Sequence, residues 1–530
     1  MMTRSCRSVA ALYAAACWMV ASAAPALAGT GTYSGPLYNQ VRQKSSHNSY
    51  ERIESIGDQI VYHRVHSLEI DIHMSGAAGD FQVFHDSDTT NNRCRTLSGC
   101  LRNITAEHDL NPNHEVITIF IDLKEAFTTG HDRATLDNEL GIWLGSLAKS
   151  PSELLADCPG ATTLQGSVKG TCRWPSLAET KGRFFVVLTG NIDQYANTAA
   201  AATDPARMAF VAGNWATQST QSFRIFFNHD GVDAAQSLAI NSAGFVGRCY
   251  NLATSTDFAN AKANAVHHLA TDKVNYHQDS WSETHNTNLW PFECITGTCP
   301  TAAESRPNGI SLLVNSEDID NNTDSGFFFR EIGPSTGNID TSGNWTYWQS
   351  NISQSESHVG GQMTKGCLMA RASRTSTTAP YFAVCVTGDD NQPRIQWRTG
   401  TGTGWGTTSY TTEQLGVNSE GMTFFRLRCK STATTNTTCE GYVSPNNSNW
   451  YLIGSAKTFT TQLKNQGIAA SSHGTGAQRK FYFEGLKKQL PGAAWEVLTA
   501  ASLGYSNSIG TVYSASLFDG LGTTSQPGPN

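Results

Sequence analysis

The 530-residue sequence has no Cys-x-x-Cys pair and no Cys/His spacing suited to a structural zinc site, which argues against that class of metal centre. It has no run of Lys or Arg with interleaved aromatics. With 37 basic against 44 acidic residues its formal net charge is −7, so a nucleic-acid partner is not expected. Beyond residue 28 no stretch stays apolar for the roughly 20 residues that a membrane-spanning helix needs. No amphipathic basic helix stands out either.

What is present begins with Arg4 and Arg7, an apolar stretch from Val9 to Val20, and small residues ending in Ala26-Leu27-Ala28 before Gly29. That three-part layout predicts a secretory leader over residues 1–28, cleaved after Ala28, and a secreted (extracellular or periplasmic) protein. The apolar core is short for a membrane anchor. The leader holds Cys6 and Cys17, so eleven of the thirteen cysteines remain, and an oxidising compartment should pair most of them. Close spacing suggests Cys94 with Cys100, Cys158 with Cys172, Cys294 with Cys299, Cys367 with Cys385, and Cys429 with Cys439. Cys249 is then left over in an apolar run, where a buried thiol is expected.

The length calls for two domains. From about residue 37 to 275, short β-rich runs alternate with stretches of helical character, the rhythm of a parallel α/β fold. Eight candidate strands lie near Val41–Ser46, Ser67–His73, Phe81–His85, Val116–Lys124, Arg183–Thr189, Phe223–Asn228, Gly244–Tyr250 and His268–Val274. Eight strands close a (β/α)8 TIM-like barrel, here with irregular connections that allow for distortion. The clearest helix carries Leu136, Leu140, Trp143, Leu144 and Leu147 at three- and four-residue steps; Asp233–Ser242 and Asp257–Val266 are two more. Past Trp290, Ser, Thr, Asn and Gly become dense and short strands with turn signals take over, which predicts an all-β jelly-roll or sandwich domain. The expected division is 29–295 for the barrel and 296–530 for the sandwich, joined between Pro291 and Pro307.

Barrel enzymes place their chemistry at the carboxyl ends of the strands, so polar residues there are weighed together. His47-Asn48 follows the first candidate strand, Glu69 and Asp71 sit in the second, His85-Asp86 ends the third and Asp122-Leu123-Lys124 ends the fourth. Strand alternation puts Glu69, Asp71 and His73 on one face, opposite Leu68, Ile70 and Ile72. It likewise turns Asp122 and Lys124 inward, away from Ile117, Ile119 and Ile121. Carboxylates gathered on an otherwise apolar strand need a compensating positive charge. A divalent cation held by Asn48, Glu69, Asp71 and Asp122 would supply it, because all four offer the oxygen donors that calcium or magnesium takes. Free imidazole titrates near neutrality, a property suited to the two proton transfers of phosphodiester cleavage, which His47 and His85 can divide.

These segments, His47-Asn48-Ser49-Tyr50, Leu68-Glu69-Ile70-Asp71, Val83-Phe84-His85-Asp86 and Ile121-Asp122-Leu123-Lys124, resemble in order the motifs of the phosphatidylinositol-specific phospholipase C-like phosphodiesterases, above all their calcium-dependent bacterial branch. The resemblance covers about residues 37 to 285. It implies a Ca2+ site, with Mg2+ as the alternative, on Asn48, Glu69, Asp71 and Asp122, and catalytic His47 and His85, with Glu69 or His47 as base. The implied reaction is attack of an inositol 2-hydroxyl on phosphorus, leaving diacylglycerol and a cyclic inositol phosphate. Metal-independent members carry an arginine near the second strand, where this sequence has Asp71 and His73. Lys124, Arg248 and Lys273 are candidates for holding phosphate or head-group oxygens.

Two other groups share parts of the pattern. Sphingomyelinase D-like phospholipases have a similar Glu-x-Asp, second histidine, Asp-Leu-Lys and small disulfide loop. Glycerophosphodiester phosphodiesterases share the scaffold, but their first motif places Arg where this chain has Asn48. The C-terminal half looks like a concanavalin-type sandwich through Gly366-Cys367-Leu368-Met369-Ala370-Arg371 and Trp450-Tyr451-Leu452-Ile453-Gly454. Such modules often bind carbohydrate, and Trp345, Trp348, Trp397, Trp405 and Trp450 are candidate contact residues, although burial is the commoner fate of Trp. The expected partners are therefore a phospholipid or glycerophosphodiester, a membrane surface touched peripherally, and a carbohydrate. A non-catalytic secreted binding protein is the rival reading from another class.

Overall fold

The computed structural model describes residues 35–515 with breaks, the longer ones at 87–91, 197–203, 276–278, 286–289, 301–309, 315–327, 332–341, 355–363, 388–392, 401–404, 410–422, 472–478 and 499–511. The expected leader lies outside the described residues.

Strands β1 (Val41–Ser46), β2 (Ser67–His73), β4 (Ile117–Leu123), β5 (Phe184–Gly190), β6 (Phe210–Gly213), β7 (Phe226–Asp230), β8 (Val246–Tyr250) and β9 (His268–Thr271) pair in parallel around a closed barrel. The pairing of Ser45 with Ser67 closes it between β1 and β2. Two short antiparallel strands are appended: β3 (Gln82–Val83) on β2, and β10 (Phe292–Cys294) on β1.

The eight barrel strands are thus not the eight expected. The run at Phe81–His85 folds back as a hairpin arm outside the ring, and Phe210–Gly213 takes the vacant place. That strand is only four residues long and ends in Ala212-Gly213, which leaves little β-propensity to read.

Alternation along β2 and β4 sorts their side chains as the sequence implies. Leu68, Ile70, Ile72, Ile117, Ile119, Ile121 and Leu123 pack outward in one apolar cluster with Leu97, Leu101 and Ile104 of helix α2 (Leu97–Leu110) and Leu136 and Leu140 of helix α3 (Arg133–Trp143). Burying each such side chain contributes about 1.5–3 kcal/mol. Both helices start on side-chain caps: the Thr96 and Asp132 oxygens accept from the backbone N–H groups of Gly99 and Thr135. Inside the ring, Phe120, Phe185, Phe210 and Phe226 pack with Tyr38 and Trp174 and plug the barrel below the site.

The rest is all-β. One sheet of nine strands contains β11 (Ile310–Val314), β13 (Thr346–Gln354), β18 (Phe424–Lys430), β19 (Thr437–Ser444), β20 (Tyr451–Leu452), β21 (Lys457–Phe459), β23 (Arg479–Gln489), β24 (Glu496–Val497) and β25 (Val512–Ala515). The other, of six, contains β12 (Phe328–Glu331), β14 (Lys365–Arg371), β15 (Tyr381–Thr387), β16 (Pro393–Arg398), β17 (Trp405–Ser409) and β22 (Asn465–Ser471). Pairing is antiparallel except between β11 and β25. Both sheets contribute to one apolar core, including Trp348, Phe382, Phe425, Ile468 and Phe481. This is a sandwich following a barrel. Tyr482 of β23 packs on Val61, at the end of helix α1 (Ile56–Val61) of the barrel.

All five close-spaced cysteine pairs are disulfides, and Cys249 is free and buried. Burial pushes its thiol up to about 12, which keeps it protonated and inert.

Candidate active site

Parallel register stacks the inward side chains in layers. Ser67 lies beside Thr118, Glu69 beside Phe120, and Asp71 beside Asp122. In the lowest layer hydroxyls and an imidazole satisfy one another: Tyr38 with Thr118 at 2.6 Å, and Ser67 with Ser45 at 2.8 Å and with His268 at 3.0 Å. The middle layer holds Glu69 against Arg248, with Nη2 2.8 Å from Oε2. Arg248 is 1 % exposed; its Nη1 donates to Asn228, its register neighbour on β7, at 3.1 Å. The top layer holds Asp71 and Asp122, with Lys124 Nζ 2.7 Å from Asp71 Oδ2 and 3.0 Å from Asp122 Oδ2. Thr189, beside Asp122 on β5, donates to its Oδ1 at 2.6 Å.

Above these layers opens a hollow of about 420 Å³ lined by His47, Asn48, Glu69, His85, Asp122, Lys124, Asn228, Tyr250 and Asn251. Asn48 enters it through a left-handed turn (φ 48°, ψ 60°), a conformation Asn tolerates better than most residues, and its backbone N–H donates to Glu69 Oε2 at 3.0 Å. His47 Nδ1 lies 3.1 Å from Asp272 Oδ1, and Arg52 Nη1 lies 2.8 Å from the same oxygen. A proton on Nδ1 shared with this carboxylate leaves Nε2 as the acceptor, on the side of Glu69, whose Oε2 is 3.9 Å away. Burial raises the Asp272 carboxyl, but the hydrogen bond from His47 and the Arg52 charge outweigh it and hold it below the ordinary range. His85 also lines the hollow, 39 % exposed, with Nδ1 3.1 Å from Asp86 Oδ1. His73 does not enter the hollow. It bonds Glu125 at 2.6 Å, stacks on Phe84 at 3.5 Å and contacts the Phe84 carbonyl, so it fixes the segment that carries His85.

Most of the residues expected from sequence therefore meet at one end of the barrel. Asp71 lies beneath the hollow, 1 % exposed. Lys273 is exposed on the segment after β9 and does not line the hollow. Arg248, expected to meet substrate, is committed to Glu69 and Asn228. Asn228, Tyr250, Asn251 and Asp272 were not singled out from sequence. Tyr250, Asn251 and Asp272 obey the rule that found the others, each being a polar group at or just past the carboxyl end of a strand, whereas Asn228 lies in the middle of β7.

The donor set suits a hard divalent cation. Three carboxylates, Glu69, Asp71 and Asp122, face two cations, Arg248 and Lys124, which leaves one negative charge uncompensated. Besides Lys124, Asp71 meets the Tyr50 hydroxyl, whose proton is held by burial and then by the Asp71 charge. Burial and then the Glu69 charge push Asp71 up to about 6, against the pull of Lys124. Burial alone would pull Lys124 down; the hydrogen bond and charge of Asp71, with Asp122, reverse this and raise it. Among the described residues no three His, Cys, Asp or Glu groups are gathered closely enough to hold a metal as they stand. The Lys124 ammonium bridges the two aspartates that would share the ion, so it would have to withdraw for both to ligate.

No family model matches the chain, and no curated protein matches it in sequence. Solved structures do. A calcium-dependent phosphoinositol-specific phospholipase C from Pseudomonas sp. aligns at 19 % identity over 45 % of this chain and 91 % of its own, with a TM-score of 0.41. A Ca2+-dependent phosphatidylinositol-specific phospholipase C from Streptomyces antibioticus aligns at 20 % identity over 46 % and 96 %, with a TM-score of 0.39. An Oleispira antarctica phosphodiesterase, solved with the product sn-glycerol-3-phosphate, aligns at 11 % identity over 46 % and 98 %, with a TM-score of 0.30.

Proposed function

We propose that the barrel mouth is the active site of a secreted phosphodiesterase that cleaves phosphatidylinositol-type phospholipids with the help of a divalent cation, calcium first and magnesium second. The observation that carries the reading is the placement of two imidazoles, His47 and His85, on one hollow whose floor is a buried cluster of acids and internal cations.

The chain's own groups account for the steps as follows. His47 Nε2, with Nδ1 held by Asp272, takes the proton from the attacking inositol 2-hydroxyl. Phosphate oxygens rest toward Lys124 Nζ, the one cation that lines the hollow among its described residues. His85, the second imidazole of the hollow, gives a proton to the departing glycerol oxygen. Arg248 and the Asn48 N–H hold Glu69 in place. Asn48, Glu69, Asp71 and Asp122 are the groups that would hold the ion, which when bound stabilises the charge that builds on the phosphate oxygens.

The test is turnover of phosphatidylinositol, sphingomyelin, lysophosphatidylcholine and glycerophosphoinositol in EDTA, then with calcium or magnesium restored. Calcium-restored cleavage of the inositol lipid is expected. Release of choline would move the assignment to the sphingomyelinase D type, and preference for glycerophosphoinositol to the glycerophosphodiesterases. Silence on all four would leave a binding protein.

A further inference from the structure

The nine-stranded sheet turns Trp348, Phe425, Leu427 and Cys429 into the sandwich core, so the alternate residues of the same strands form its outer face, which the barrel covers around Tyr482 and leaves open toward the other end of β23. By register that face carries Tyr347 beside Arg428 and Glu440, Gln349 beside Arg426 and Tyr442, and Lys430 beyond them. Lys487 continues it on β23, and Trp345, Trp450 and Trp495 stand at its margins, all three half-buried.

The groups are locked to one another. The Arg426 guanidinium lies 3.8 Å from the Trp450 ring centre and 5.7 Å from that of Trp495, and it donates to Gln349 Oε1 at 2.7 Å. Arg428 and Lys430 lie 4.2 and 4.7 Å from the Trp345 ring centre, and Lys487 lies 4.9 Å from that of Trp495. Against these four cations stand Glu440, paired with Arg428, and Glu484, which is buried. The face is thus strongly basic on a chain whose total charge is −7.

It is also greasy where it is most exposed. Leu452 pairs with Tyr442 and Val497 with Lys487, so both point outward on this face, 40 % and 52 % exposed; Leu490, just past β23, is 37 % exposed. These are three of the five exposed large hydrophobics among the described residues.

We infer that this face docks the protein onto an anionic membrane surface. Trp and Tyr favour the head-group region, Lys and Arg are attracted to anionic lipids, and Leu452, Leu490 and Val497 gain by leaving water at the acyl boundary. A polyanionic glycan would match the charge but gives no use for the aliphatic side chains. The cations already lying over the indole rings of Trp345 and Trp450 also compete with the sugar stacking such a ligand needs.

The test is partition of the full-length protein onto sucrose-loaded vesicles of phosphatidylcholine alone or mixed with phosphatidylglycerol. Neither contains an inositol lipid, so the result is independent of the activity proposed above. Expected are binding to the mixed vesicles that falls with salt, and little binding to phosphatidylcholine. The double variant Lys430→Glu/Lys487→Glu should bind at least about tenfold more weakly, and Leu452→Ser/Val497→Ser should bind severalfold more weakly. Both should keep wild-type melting temperatures and wild-type turnover of a water-soluble phosphodiester. Equal binding to the two vesicle types, salt-insensitive binding, or retention on heparin without vesicle partition would overturn the inference.

Discussion

At the residue scale, two imidazoles stand in different situations. His47 is aimed by Asp272. Replacing Asp272 with Asn should lower kcat by about 10²-fold and alter the acid limb of the pH–rate profile. It should leave the melting temperature nearly unchanged, because the Asp272 side chain is 50 % exposed. An unaltered profile would show that Asp272 does not set the His47 tautomer.

His267 does the opposite kind of work. It is fully buried at the start of β9, with Nδ1 accepting from the Gly247 N–H and Nε2 contacting the Asn39 carbonyl, an arrangement that requires the neutral ring. Burial pulls it from 6.5 down to about 4. An unfolded His267 therefore binds a proton at a higher pH than the folded one. The stability this group contributes is complete above about pH 6.5 and is lost as pH falls toward 4. The effect is on the order of 3 kcal/mol. Urea midpoints of wild type and His267→Gln measured between pH 4 and 7 should converge on acidification, and a constant gap would refute the assignment.

At the scale of elements, Gly190 at the end of β5 is where backbone shape fixes the site. Its φ is +75°, and a Cβ there would lie 2.4 Å from the Leu123 carbonyl and 2.8 Å from Asp122 Oδ1. Gly190→Ala should cost about 1–3 kcal/mol and push Asp122 out of the top layer, lowering turnover along with the melting temperature. Full activity in that variant would mean that Asp122 has no fixed place in the chemistry.

The same scale shows what a single sequence conveys. β2 is legible to its ends because Ser67–His73 alternates apolar and polar without interruption. Alternation alone also placed Glu69, Asp71, Asp122 and Lys124 inside the ring. β3 was misplaced because Phe81–His85 has a strand's composition, and composition carries no information about parallel or antiparallel partners. In the sandwich, β13 and β19 are hard to read from sequence because Gln349, Asn351, Thr438 and Glu440 dilute their β-formers with residues common in loops.

At the scale of the molecule, what sequence could not show is pairing across the barrel. Arg248 and Glu69 are 179 positions apart along the chain yet 2.8 Å apart in space. The arginine that looked like a substrate ligand is in fact the counter-ion of a carboxylate expected to bind metal. The same holds for Lys124, which sits between the two aspartates. Acids and cations read from sequence as separate ligand sets form one coupled cluster, and a bound ion would have to compete with Lys124 for it. Calcium titrated into Lys124→Met should therefore bind at least as tightly as into wild type, while turnover falls. Weaker binding to the variant would mean that Lys124 supports the ion instead of standing in its place.

The most direct measurement is phosphorus NMR of phosphatidylinositol incubated in calcium with wild type and with His85→Ala. Wild type should give a cyclic inositol phosphate resonance, and the variant a rate lower by about 10²- to 10⁴-fold at an unchanged melting temperature. Cleavage at the wild-type rate by His85→Ala, or no cyclic phosphate from either protein, would contradict the assignment of the barrel mouth.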